Sequence, residues 1–415
     1  MKAMTSKAIG PHLLLVFLTA AMNLPAQEWP QWRGPARDGV ARSVDERSGW
    51  PEELTQKWAI EIGLGHSAPV VSGGKIYQFS RQGEDEVVSC LDPSTGNVLW
   101  KQSYPAPYRM NSAATSHGKG PKSTPIVANG RITTFGISGI LSSFDAATGE
   151  LRWQKDFTDQ FPATSPLYGT AMSPLVEDGV LIAHIGGPGQ GALTAFTAET
   201  GDVQWSWAGD GPGYTSPIIV ELDGVSQVVT HSEEHIVGIA LTDGKLLWSI
   251  PFETAYVQNI VTPVVHNGNL IFSGLDKGIF AVKVTQTDST WKTEKVWETN
   301  EHSMYMSSPV LVGDLMFGLS HKRRGQFFCL DARSGNTHWV SDGRQGDNAA
   351  ILQVGDMLFL LTTEAQLIIA RASEESFDTV RQYPVAESPT WAHHVVWGNR
   401  VLIKDKSTLT LWALK

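Results

Sequence analysis

The chain has 415 residues, with 32 lysine and arginine against 42 aspartate and glutamate residues and a formal net charge of −10. This balance argues against a phosphate-backbone surface, which needs clustered basic residues, so no nucleic-acid partner is expected. Only two cysteines are present, Cys90 and Cys329, so the fold must be held by buried apolar surface, for which the chain is long enough.

Residues 1–26 read as a secretory leader. Lys2 and Lys7 precede the apolar run Leu13–Ala21, and the small-residue exit Leu24-Pro25-Ala26 follows. The run is too short to span a bilayer, which takes ~20 apolar residues. Cleavage after Ala26 would take the net charge from −10 to −12, because it removes Lys2 and Lys7 and no acidic residue. No cysteine flanks that point, so no lipid anchor is expected, and the mature chain is predicted to be exported, to the periplasm or beyond. Residues 27–53 form an N-terminal extension whose early tryptophans, Trp29 and Trp32, are expected to pack on the side of the main domain, as a brace or a functional arm.

From residue 54 onward the sequence repeats itself. The first copy runs Ser67-Ala-Pro-Val-Val, Gly73-Gly74-Lys-Ile-Tyr77, Val87-Val-Ser-Cys-Leu-Asp92, Thr95-Gly96 and Trp100. A second begins at Ser123-Thr-Pro and closes with Asp145, Thr148-Gly149 and Trp153; a third runs from Ser173-Pro174 to Thr200-Gly201 and Trp205. The fourth runs from Ser216-Pro217 to Gly244 and Trp248. The fifth, from Thr262-Pro263 to Trp297, lacks the Thr-Gly turn, and the sixth regains it at Ser334-Gly335 before Trp339. Two worn copies follow, 348–383 and a last one from about Ala392 that lacks a fourth strand. Leu54–Trp58 looks like a closing strand with no repeat before it.

Each copy reads as four short antiparallel strands punctuated by Gly, Asp and Asn. In Asp-x-x-Thr-Gly the aspartate can accept backbone N–H bonds and the glycine can take positive φ. The terminal Trp offers a large flat apolar surface suited to wedging between neighbouring sheets. A sheet of this kind cannot bury both faces alone, but a closed ring can. If residues 54–58 complete the last copy, the ring closes with no free edge. The expected architecture is therefore all-β: an eight-bladed β-propeller of four-stranded antiparallel blades over 54–415, with little helix, behaving as a monomer. Cys90 and Cys329 fall at equivalent positions of different repeats, which argues against a disulfide between them.

With its Thr-Gly turn and terminal Trp, the repeat resembles the blade of the PQQ-like (quinoprotein-type, tryptophan-docking) β-propeller family. Trp29-Pro-Gln-Trp-Arg-Gly-Pro35, Gly186-Gly-Pro-Gly-Gln-Gly191 and Gly211-Pro-Gly-Tyr-Thr-Ser-Pro217 resemble a BamB-like subfamily of exported bacterial proteins. The resemblance covers nearly all of the chain beyond the leader. It implies either a non-catalytic scaffold that binds a protein partner or small ligand, or a PQQ-dependent dehydrogenase with calcium. The family's dehydrogenases usually carry a vicinal cysteine pair beside the quinone, and this sequence has none, so the scaffold is preferred and no cofactor is expected.

Other chemistry finds little support. His231-Ser-Glu-Glu-His235 has a possible metal-ligand set but reads better as an exposed polar turn. Gly186–Gly191 lacks the Gly-Lys-Ser/Thr ending of a phosphate loop and reads as a hairpin connection. His321-Lys-Arg-Arg324 reads as a solvated hairpin tip. His393 and His394 should point to opposite faces of a strand, so both cannot serve one site.

A binding region is expected at the channel mouth, on the loops leading into the innermost strands. Counting three residues before each repeat's proline, or its counterpart, gives His66, Lys122, Ala171, Tyr214, Ile260, Met306, Asp347 and Trp391. Tyr168, Met172, Asn259, Tyr305 and Asn348 lie nearby. These positions differ from copy to copy, unlike the structural Trp and Pro, and suit a planar or peptide-like ligand. Neither a catalytic residue nor a metal ligand is assigned.

Overall fold

In the computed structural model, which describes residues 28–42, 49–161 and 163–414, the repeats form eight antiparallel sheets. The predicted leader and its cleavage site lie outside the described residues. The innermost strands, in blade order, are Val70–Ser72, Ile126–Ala128, Leu175–Glu177, Ile218–Leu222, Val264–His266, Val310–Val312, Ala349–Val354 and Val395–Trp397. Middle strands such as Lys75–Gln82 and Asp85–Leu91 are buried along nearly their whole length, because a neighbouring blade covers each face. Outermost strands such as Val98–Pro105 are largely exposed. Three short 3-10 turns are the only helical segments among the described residues.

Ring closure is as expected: Thr55–Glu61 pairs antiparallel with Thr408–Ala413, Trp58 opposite Leu411, and supplies the outermost strand of the eighth blade. Cys90 and Cys329 are buried free thiols.

Two devices couple neighbouring blades. The first is the docking tryptophan. Its indole N–H donates to a carbonyl of the next blade: Trp58 to Pro93, Trp100 to Ala146, Trp153 to Ala198, Trp205 to Leu241, Trp297 to Ala332 and Trp339 to Ser373. Trp248 is the exception. Blade 5 has lost the Thr-Gly turn that would receive it, replaced by the long hairpin Ile279–Thr287 and Thr290–Thr299, and Trp248 donates back to Gln227 Oε1 of its own blade.

The second device explains the Ser/Thr of the Ser/Thr-Pro signature. Around the channel, a backbone N–H of one blade donates to the hydroxyl of the next: Ala68 to Thr124, Thr124 to Ser173, Ser173 to Ser216 and Thr262 to Ser308. This inner belt fixes the height at which each loop enters the channel mouth.

The N-terminal segment does not lie on the propeller's side. Residues 28–41 run inside the channel, because this stretch can complete the open backbone groups of the innermost strands. Trp29 bridges Val71, the Pro30 carbonyl accepts from Val127 N–H, and Val40–Ala41 add a parallel strand to Ala349–Val354. Arg33 donates to the carbonyls of Ser308 and Pro309, and Arg37 to those of Ser173 and Pro174. Both guanidiniums are buried, with basicity lowered by desolvation, to about 10 for Arg33 and about 9 for Arg37. Carbonyl-rich surroundings let them remain inside.

Candidate functional site

Above this segment the channel mouth holds a cavity of about 250 Å³. Trp32 contributes to its base: the indole N–H donates to Thr262 Oγ1 at 3.0 Å, and the ring centroid lies 4.2 Å from that of His393. The connection between blades 1 and 2 supplies Ala113 and His117, through the 3-10 turn Ser112–His117 that Asn111 caps by accepting from Ala113 N–H. The connection between blades 2 and 3 supplies Tyr168 and Ala171. One wall is aromatic, with His117 edge-on to Trp391 at 4.8 Å and His66 packed against both.

The Tyr168 peptide is clamped. Its N–H donates to the Tyr214 hydroxyl at 3.1 Å, and its carbonyl accepts from Lys122 Nζ at 2.5 Å. Desolvation lowers Lys122 to about 8, so the ammonium remains mostly charged at neutral pH. His66 falls to about 3, chiefly by desolvation, with its neighbours His117, Lys122 and Lys404 lowering it further. Burial also lowers His117 and lowers His393 strongly. The histidines are therefore neutral at pH 7, leaving Lys122 as the cation of the lining.

Of the residues expected at the mouth, the cavity gathers His66, Lys122, Tyr168, Ala171, Tyr214, Ile260, Tyr305, Met306, Asn348 and Trp391. Met172, Asn259 and Asp347 stand elsewhere. Met172 points into the core beside Phe135 and Leu181. Asn259 is buried and braces loops, donating to the Ser232 and Glu233 carbonyls. Asp347 is exposed. The lining adds Trp32, Ala113, His117, Ser216, Gln258 and His393, which counting from the prolines does not reach. His393 faces the cavity while His394 does not, so the two point apart as expected, though the sequence did not say which would face inward.

The lining contains no carboxylate. Calcium takes 6–8 oxygen ligands, ordinarily with carboxylates among them. The residues present at this mouth thus do not fit a calcium-held quinone.

His231–His235 differs from an exposed turn. His231 is buried between Phe252 and Phe272, with both ring nitrogens unpartnered among the described residues. A third potential ligand, Asp210, approaches Glu234 and His235. Its carboxylate already accepts from the Ser232 hydroxyl, Glu234 N–H and His235 Nδ1, which makes the cluster a braced loop. The Gly186–Gly191 stretch is a hairpin connection between Val180–Gly187 and Gln190–Thr197. Lys322–Arg324 is an exposed turn between Leu315–Ser320 and Gln326–Asp331.

A family model described as outer membrane protein assembly factor BamB matches residues 84–341, more than half of the chain. Among curated relatives, the outer membrane protein assembly factor BamB of Shewanella oneidensis is 24% identical over 269 residues, covering 62% of this chain and 65% of that protein. The same factor of Yersinia pestis is 20% identical over 260 residues, covering 58% and 61%. The chain thus spans less than two thirds of these relatives' length. Among solved structures, BamB from Moraxella catarrhalis superposes with a TM-score of 0.62 at 16% identity, covering 87% of this chain and 97% of that one. A quinohemoprotein alcohol dehydrogenase from Comamonas testosteroni gives 0.67 at 14% identity, covering 94% and 80%. At these identities the superpositions show a shared fold and nothing finer.

Proposed function

Since the chain belongs to the family of the outer membrane protein assembly factor BamB, we propose that it is an exported, non-catalytic binding and scaffold protein, monomeric, that presents its channel mouth to a ligand and its loops to a protein partner. The observation that carries this reading is the lining of the mouth. It is varied, largely aromatic and based on the inserted N-terminal segment, with no carboxylate among its residues. The Ser216 hydroxyl accepts the Ser173 N–H within the structural belt. A wall of this kind supports holding a molecule more than transforming it.

The second reading, a PQQ-dependent oxidoreductase, draws on the fold shared with quinohemoprotein alcohol dehydrogenases. The two readings separate in an absorbance spectrum of the purified protein during titration with PQQ and calcium. The scaffold reading expects no stoichiometric quinone band and no thermal stabilisation. A saturable band with a raised Tm would overturn it in favour of the enzyme.

A further inference from the structure

The channel cup is chemically narrower than a general binding pocket. Its walls are indole, imidazole and phenol rings: Trp32, Trp391, His66, His117, Tyr214 and Tyr305. Several pairs are already set in edge or tilted contact, so planar aromatic faces are available without rearrangement. Within this aromatic wall stands one ammonium, Lys122, half-buried and with no carboxylate in the lining to balance it. An ammonium has three N–H donors, and the Tyr168 carbonyl takes one. Holding an uncompensated cation in such surroundings is costly, and an incoming anion would offset that cost.

Size narrows the choice further. The volume of about 250 Å³ lies just below the ~300–1,000 Å³ usual for drug-sized ligands, which favours one or two rings.

From these features we infer that the cup binds a small planar aromatic monoanion, a one- or two-ring carboxylic acid, with its ring against the Trp391–His117 wall and its carboxylate on Lys122. This rests on the reading of the mouth as a ligand site. The Lys122 ammonium favours an anionic group in the cup, and the lining itself contributes no carboxylate to oppose it.

The test uses 2-naphthoate and its uncharged counterpart 2-naphthamide, titrated into the intact protein and followed by calorimetry and tryptophan fluorescence. The expected result is saturable binding of the acid, at least tenfold tighter than the amide. Lys122→Met should abolish that preference, and Lys122→Arg should retain it. The arginine variant keeps the test valid if the methionine variant fails to fold. Equal affinity for acid and amide, or a preference that survives in Lys122→Met, would overturn the anion assignment while leaving the mouth as an aromatic ligand site. Failure of both probes to bind at millimolar concentration would overturn the ligand site itself, and this inference with it.

Discussion

Gly149 lies directly against the indole of Trp100 from the preceding blade: a Cβ built on Gly149 would meet Trp100 Cε3 at 2.5 Å. Gly96 meets Trp58 in the same way, Gly201 meets Trp153, Gly244 meets Trp205 and Gly335 meets Trp297. The glycine of the Thr-Gly turn therefore answers two demands: positive φ, +77° at Gly149, and a bare surface on which the docking ring can rest. Gly130 shares only the first, with φ +72° and open space around its Cα. Gly130→Ala should cost about 1 kcal/mol, the usual penalty for left-handed backbone in an L-residue. Gly149→Ala should cost about 2–4 kcal/mol, because overpacking against the indole adds to that penalty. Equal denaturation midpoints for the two variants would show that the indole contact imposes no constraint.

The docking rings themselves should carry much of the adhesion between blades. Trp153→Ala removes an indole packed toward blade 3 and strands the Ala198 carbonyl that it serves. A loss of about 3–5 kcal/mol is expected from chemical denaturation, in line with large-to-small changes in packed cores. A loss below about 1 kcal/mol would count against docking as a source of stability.

What repeats in the sequence was legible, and what occurs once was not. The Thr-Gly turns, terminal tryptophans and Ser/Thr-Pro signatures recur, so blade number, ring closure and the height of the mouth could be read from spacing alone. The N-terminal segment has no counterpart. Arg33 and Arg37 act on backbone carbonyls of Ser308, Pro309, Ser173 and Pro174, and a carbonyl leaves no trace in a residue pattern. Trp32 and His117 reach the cup from unrepeated stretches for the same reason. Asn259 looked like a mouth residue by position, but a loop that must satisfy the Ser232 and Glu233 carbonyls draws it inward.

Ring closure can be tested by removing its last strand. Deleting residues 54–60 removes all but Glu61 of the strand Thr55–Glu61 that pairs with Thr408–Ala413 and exposes an unpaired edge. It also removes Trp58, which donates to the Pro93 carbonyl of blade 1. The shortened protein should aggregate during size-exclusion chromatography at concentrations where the parent elutes as a single species. A stable, monomeric deletion would mean that the ring holds without this strand.

Glu86 gives a prediction in which the sign depends on pH. Its carboxylate is buried, accepting from Ile137 N–H at 2.7 Å and from the Tyr104 hydroxyl at 3.0 Å. Desolvation outweighs both hydrogen bonds and the more distant Arg81, and pushes the carboxyl up from 4.5 to about 7. Between these values the folded protein holds a proton that the unfolded chain has released. Stability contributed here is greatest below about 4.5, falls as pH rises through the window, and is at its lowest above about 7. The shift corresponds to about 3 kcal/mol at most. Glu86→Gln keeps an oxygen for Ile137 and presents an amide donor to the Tyr104 oxygen, with no charge to desolvate. The variant should match the parent near pH 4.5 and exceed it by up to that amount at pH 8, read from denaturant midpoints at constant ionic strength. The difference between the two proteins isolates the carboxyl, because buried His231 and His394, both lowered to about 3, titrate with the opposite slope in each. If the difference does not change between pH 5 and 8, Glu86 is not the group that titrates in that window.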